Sequence, residues 1–293
     1  MRIAMHNWMR PEPLEKTLAR LAECGYDAIE ISGEPELYPV EETRKLLEKY
    51  GIACWGAVSI MTEGRGLTLR DRYLREGTVL YLQDCVRMVA GLGGEILTTV
   101  PATVGKIAPD GTVEQEWQWA VDGLKRVADV ARELGVKIAI EPINRFETYF
   151  INRADQALAL AEAVGEDICV CLDAFHMNIE EEDVQAAIRS AGSKLIDFHV
   201  ADSNRKPPGQ GHFDWQTTIQ TLREIGFSGC LTVEFVNPID RTILAQTRED
   251  TETTGDAAQL KFIQDHGGGV LSDAEYTQAT RDSVQYLRRL LGS

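Results

Sequence analysis

No apolar run in this 293-residue chain is long enough to cross a bilayer, and its first residues, MRIAMHNWMR, hold no apolar signal core. A cytoplasmic protein with no membrane partner is therefore expected. Cysteine is sparse: the six, at 24, 54, 85, 169, 171 and 230, form no CxxC pair. That is the usage of a reducing compartment and argues against a disulfide framework. Most of the six stand among apolar residues as small core side chains, and Cys169 and Cys171 would share one face of a strand. Histidine is scarce at five, and 30 Lys and Arg against 46 Asp and Glu leave a net charge of −16. Such a surface repels phosphate backbones, so no nucleic-acid partner is expected. No Gly-rich dinucleotide fingerprint follows the first apolar run. No Ser/Gly/Pro linker divides the chain.

What is present is a rhythm. Short β-rich runs stand at 2–8, 28–32, 53–59, 95–101, 137–143, 168–175, 195–202 and 230–235. Between them lie amphipathic patterns at 13–25, 41–51, 79–93, within 114–135, and at 153–165, 184–192, 214–227 and 276–291. In the segment 153–164, Ala154, Ala157, Leu158 and Ala161 recur at helical spacing. Several of these segments have glycine at or next to their end, and those at 25, 51, 93, 135, 165 and 226 are read as left-handed helix caps. Alternating strands and helices predict a parallel sheet, and eight strands close a (β/α)8 TIM barrel. An open doubly wound sheet is the alternative. The reading is one domain over 1–293, with a polar insertion at 236–273 after strand eight, a lid or a partner contact.

In a barrel every strand C-terminus points to one face, where active sites form. Strand five ends on Glu141, strand six on Asp173, strand seven carries His199 and strand eight carries Glu234. One charged strand tip is commonly a solvated accident; four consecutive metal-competent tips in register with the fold are not. Two Glu, one Asp and one His make a hard, mostly oxygen set, suited to one divalent ion such as Mn2+, Mg2+ or Co2+.

The segments EPINRFET (141–148), LDAFHMNIEE (172–181), HVADSNR (199–205), GHFDW (211–215) and VEF (233–235) resemble the sugar isomerase/epimerase superfamily of xylose-isomerase-like barrels. The closest resemblance is to the D-tagatose and D-psicose ketose 3-epimerases. The first half is similar to them only in its barrel rhythm. Around 59–67 SIMTEGRGL replaces the pocket loop, and PATVGKIAPDGTVEQEW follows strand four. The resemblance implies one metal ion, Mn2+ first, on Glu141, Asp173, His199 and Glu234. It implies Glu141 and Glu234 as the acid/base pair, and contacts to sugar hydroxyls from Glu147, His176 and Arg205. A homo-oligomer, dimer or tetramer, or a small partner subunit is expected beside the sugar.

Other residues have blander readings. His6 and Trp8 end the first strand and form either an apolar wall under the sugar or a barrel plug. Trp215 is a packing residue at a helix start, and His212 shapes a loop. Glu30, a strand-two acid, could orient another ligand. The same cage could serve a lyase or isomerase acting on 3-keto-glycosides, as in C-glycoside deglycosidases, or on keto-inositols. An abasic-site endonuclease would need more histidines and a basic groove, and a non-catalytic sugar binder would not need the acid/base pair.

Overall fold

The computed structural model describes residues 1–62, 64–238, 263, 268–269 and 271–292. Eight parallel strands close a barrel in chain order: β1 Arg2–His6, β2 Ala28–Gly33, β3 Ala53–Ser59, β4 Ile96–Thr99, β5 Lys137–Ile140, β6 Cys169–Asp173, β7 Leu195–Val200 and β8 Cys230–Val233. The helices are α1 Leu14–Cys24, α2 Val40–Tyr50, α3 Arg72–Gly91, α4 Val113–Leu134, α5 Ala154–Val164, α6 Ala174–Glu180, α7 Val184–Ala191, α8 Trp215–Glu224 and α9 Asp273–Leu291. This is the (β/α)8 architecture that the periodicity implies, and the open sheet is excluded. No described helix is long and apolar enough to cross a membrane.

Caps explain where elements depart from the apolar pattern. The run 168–175 reads as one strand, yet β6 stops at Asp173 because its carboxylate accepts the His176 N–H at 2.9 Å and starts α6 there. Helix α3 begins at Arg72, seven residues before its apolar pattern, because Asp71 accepts the Tyr73 N–H at 2.7 Å. Ser272 and Glu275 form a capping box that opens α9 at Asp273. Of the six glycines read as left-handed caps, Gly165 instead has φ 170, plain extended backbone. The expected insertion 236–273, with His266 inside it, lies mostly outside the described residues; its described edges meet in an antiparallel bridge between Pro238 and Gly268.

Two strands carry one extra residue. Along β2 and β3 the register passes from Ile29–Cys54 to Glu30–Gly56, so Trp55 is unpaired. Along β6 and β7 it passes from Val170–Leu195 to Cys171–Asp197, so Ile196 is unpaired. Bulges are uncommon between parallel strands and re-aim the residues beyond them. Both extra side chains join one small cluster with Ala4, Ala28, Ile96 and Cys230, and the Arg2 guanidinium covers the Trp55 ring at 4.5 Å. Beyond the bulges the registers place His6 beside Glu30 and Asp173 beside His199.

The main core lies between strands and helices. Phe198 alternates with Asp197 and His199 on β7 and is fully buried in it. Phe198→Ala should lower the unfolding free energy by about 3–5 kcal/mol in denaturant titration. A loss under 1 kcal/mol would show that this core recloses around the gap.

Candidate active site

Glu141 and Glu234 each stand one residue beyond their strand, yet their N–H groups continue the ladder, to the Thr99 and Val200 carbonyls at 3.0 Å each. The sequence reading put both within the strand; the ladder geometry makes the difference small. Asp173 ends β6, and His199 pairs with it in register on β7. All four are buried. Their donor atoms lie within 4.8 Å of one another. His199 Nδ1 is 3.0 Å from Glu141 Oε1 and 3.1 Å from Glu234 Oε2.

Charge in this cluster is unbalanced. Burial pushes the Asp173 carboxyl well above its ordinary range, and Glu234 and Glu141 push it further. Glu141 is raised by burial, against the pull of His199. Burial acts the same way on Glu234, but His6, His199 and Arg205 outweigh it and hold that carboxyl well below its ordinary value. Three facing carboxylates out of water need more positive charge than one imidazole gives. Arg205 acts on Asp173 and Glu234, but it is already paired with Glu147. Donors on opposite sides of a small dication sit about 4 Å apart, a spacing this cluster fits. Glu141, Asp173, His199 and Glu234 could hold such an ion.

Beside the cluster, the positions expected to meet a sugar form one network. Arg205 Nη1 donates to Glu147 Oε1 at 2.7 Å, and the Asn144 side-chain amide donates to the same oxygen at 2.9 Å. The Asn144 backbone N–H points at His176 Nδ1 at 3.2 Å. That nitrogen is therefore an acceptor and the ring proton sits on Nε2. Burial lowers the His176 pKa to about 4, so the ring is neutral. The Arg205 guanidinium lies 4.8 Å from the Phe175 ring centroid. Arg205 is also the one non-glycine at positive φ, 61, among the described residues, a costly conformation that surrounding structure must impose. Asp202 imposes it. Its backbone carbonyl accepts the Arg205 N–H at 2.7 Å. Its buried carboxylate accepts from the Ser203 N–H at 2.8 Å, Gly209 N–H at 2.8 Å, Phe213 N–H at 3.1 Å and Trp215 Nε1 at 3.0 Å.

The first strand and the turn after it add polar contacts to the site. Trp8, read as an apolar wall or a barrel plug, donates its indole N–H to Glu234 Oε1 at 2.9 Å. His6 is fully buried, with Nε2 3.3 Å from both His199 Nε2 and Glu30 Oε2. It belongs to a layer under the cluster with Glu30 and Asp197, both without exposed surface. Burial, then Asp197, pushes the Glu30 carboxyl up to about 8. Cys171, read as core, lies close enough to Glu141 and His199 to make a second possible donor set with them. Asn144, Asp197 and Asp202 were not singled out from sequence. A period of two from His199 would have flagged Asp197; nothing local marks the other two.

The family model described as a xylose isomerase-like TIM barrel matches residues 18–264. The chain belongs to that family. Among relatives in the family, the L-ribulose 3-epimerase of Mesorhizobium japonicum is 32% identical over 241 residues, 80% of each chain. The D-psicose 3-epimerase of Agrobacterium fabrum is 29% identical over 285 residues, 94% of this chain and 92% of that one. The crystal structure of a D-allulose 3-epimerase from Methylomonas sp. superposes with a TM-score of 0.85 at 23% identity, over 99% of this chain and 98% of that one. At that identity the superposition speaks for the fold alone. The sequence relatives are isomerases by name, and this protein is an enzyme of that class. The kinship supports a sugar epimerase.

Proposed function

We propose that this protein is a divalent-metal-dependent ketose 3-epimerase. The observation that carries the reading is the buried Glu141–Asp173–His199–Glu234 cluster at the strand ends, with its donor atoms within 4.8 Å. Glu141, Asp173, His199 and Glu234 would hold one ion, Mn2+ before Mg2+ or Co2+. When bound, it would polarise the ketone and offset the charge that builds on its oxygen.

Glu141 and Glu234 follow different strands, β5 and β8, so they can flank a sugar from two sides. One takes the proton from the carbon next to the carbonyl; the electron pair rests in an enediolate; the other returns a proton to the opposite face. The same C–H bond is broken and remade inverted, with no change in oxidation state. The two roles exchange when the reaction runs in reverse. His6, His199 and Arg205 keep Glu234 ionised, and the Trp8 N–H donates to it. His176, with its proton on Nε2, offers one donor to a hydroxyl. Arg205 and Glu147 hold each other in place and can each turn one polar atom to the sugar.

The test is deuterium uptake. With Mn2+ added, fructose, psicose, tagatose, sorbose, ribulose and xylulose are incubated in D2O and followed by NMR. Deuterium at C3 together with a new C3 epimer is expected for at least one sugar. Treatment with EDTA should stop uptake and fresh Mn2+ restore it. Undiminished uptake after EDTA would overturn the metal dependence. Silence with every free ketose, but uptake with a 3-keto-glycoside, would move the substrate to glycosides.

A further inference from the structure

We propose that Glu30, on β2, is the residue that sets the tautomer and aim of His199 for metal binding; this rests on the reading above. Neutral imidazole carries its proton on one nitrogen and a lone pair on the other. His199 Nδ1 faces Glu141 and Glu234, where an ion would sit. Its Nε2 faces away, 3.1 Å from Glu30 Oε2 in hydrogen-bond geometry. An acceptor at Nε2 fixes the proton there and leaves the Nδ1 lone pair turned to the carboxylates. A histidine ligand is commonly held this way by an acceptor behind it.

Three groups lie behind His199 Nε2, and one proton serves only one of them. Asp197 Oδ2 is 3.2 Å away, but off the line of the N–H, and it is left without a hydrogen-bond partner. The other Asp197 oxygen is occupied, accepting the Thr232 hydroxyl at 2.9 Å. His6 Nε2 is 3.3 Å away and meets the same Glu30 oxygen at 3.3 Å, so it serves as a second holder of Glu30. Glu30 is fully buried, and among the described residues its ion-pairing contacts are the two imidazoles. Oε2 accepts the proton whether or not the carboxyl is ionised. The bulge at Trp55 lies where Glu30 leaves the ordinary register, pairing with Gly56 instead of Trp55. Glu30 is thus a positioning residue that acts through His199.

The experiment is a Mn2+ titration of the metal-free protein by EPR, with no substrate present. Glu30→Ala should weaken binding by about 10–100-fold. Glu30→Gln keeps an acceptor oxygen and should stay within a few-fold of wild type, a rescue that bulk packing alone would not distinguish from Glu30→Met, which should bind as poorly as Glu30→Ala. Asp197→Asn should bind like wild type. A second measurement needs no variant. In the 15N-histidine spectrum of the Mg2+-loaded wild type, His199 should show a protonated Nε2 and a bare Nδ1. Wild-type affinity in Glu30→Ala, loss in Asp197→Asn alone, or the opposite tautomer would each overturn the inference. If the wild type itself binds no Mn2+, the metal reading falls with it; if the wild type binds and Glu30→Ala binds equally, only the inference falls.

Discussion

Glu141→Gln should leave the protein folded and cut turnover of the Mn2+-supplemented enzyme by at least about 10²–10⁴-fold, the range one acid/base group contributes. An amide cannot take or return the proton, and it is a poorer ligand than a carboxylate. The informative part is that stability should move the other way. Burial raises the Glu141 carboxyl above its ordinary range, so at neutral pH its ionised form costs the metal-free protein folding free energy. A neutral isostere removes that cost. Metal-free Glu141→Gln should therefore melt no lower than metal-free wild type while losing its activity, the pattern of a functional residue held against stability. Epimer formation by NMR and thermal unfolding in EDTA measure the two halves. Turnover near wild type would end the two-carboxylate assignment, and a large drop in melting temperature would show Glu141 to be structural.

Asp202→Asn should cost about 2–5 kcal/mol although it changes one atom, because it leaves buried donors unpaired. One carboxylate oxygen accepts from Ser203 and Phe213, the other from Gly209 and the Trp215 indole. An amide has a single acceptor oxygen, so its NH2 must face one of these pairs of N–H groups. There is no room to shift: a Cβ on Gly211 would already stand 2.1 Å from Asp202 Oδ1. The loop that holds Arg205 at φ 61 would relax, and KM for the sugar should rise more than kcat falls. The pH dependence has a definite sign. Burial opposes ionisation of Asp202, but its Trp215, Phe213, Ser203 and Gly209 donors outweigh it and lower its pKa. Its contribution is then complete above the unfolded aspartate value of about 3.9 and is lost as pH falls through the lower folded value. Wild type and Asp202→Asn should differ in unfolding free energy at pH 7 and converge in strong acid. Equal stability at pH 7 would remove Asp202 from this role.

The cluster at the strand ends was legible because each of its members interrupts an apolar run at the same structural position. A buried strand has no local reason to end on Asp173 or to carry His199, so the anomaly itself points to a site. The layer beneath was less legible. Glu30 and Asp197 are single polar residues within β-rich runs, and their meeting with His199 depends on how β2 and β7 are registered against their neighbours. Register comes from contacts across the barrel, and a single strand does not state it. Trp8 lies two residues beyond β1 rather than on it, and its contact with Glu234 was not legible, since ring surface and indole N–H are equally available to an aromatic at a rim. Helix α6 was hidden because it begins inside the apolar run of β6, and only the carboxylate of Asp173, turned back on the His176 N–H, separates the two.

The unpaired Ile196 gives β7 one residue of slack. Without it Leu195 and Asp197 would pair with successive residues of β6 and His199 would stay beside Asp173, whereas side chains alternate along a strand, so loss of one residue from the unbulged β1 or β8 would exchange its two faces. Insertions in the loops beyond the strand tips carry no such penalty, because they leave every strand in phase. Lineages descending from this chain, or libraries built on it, can therefore vary in length in those loops and at the two bulges, while the rest of each strand can change only by replacement, residue for residue.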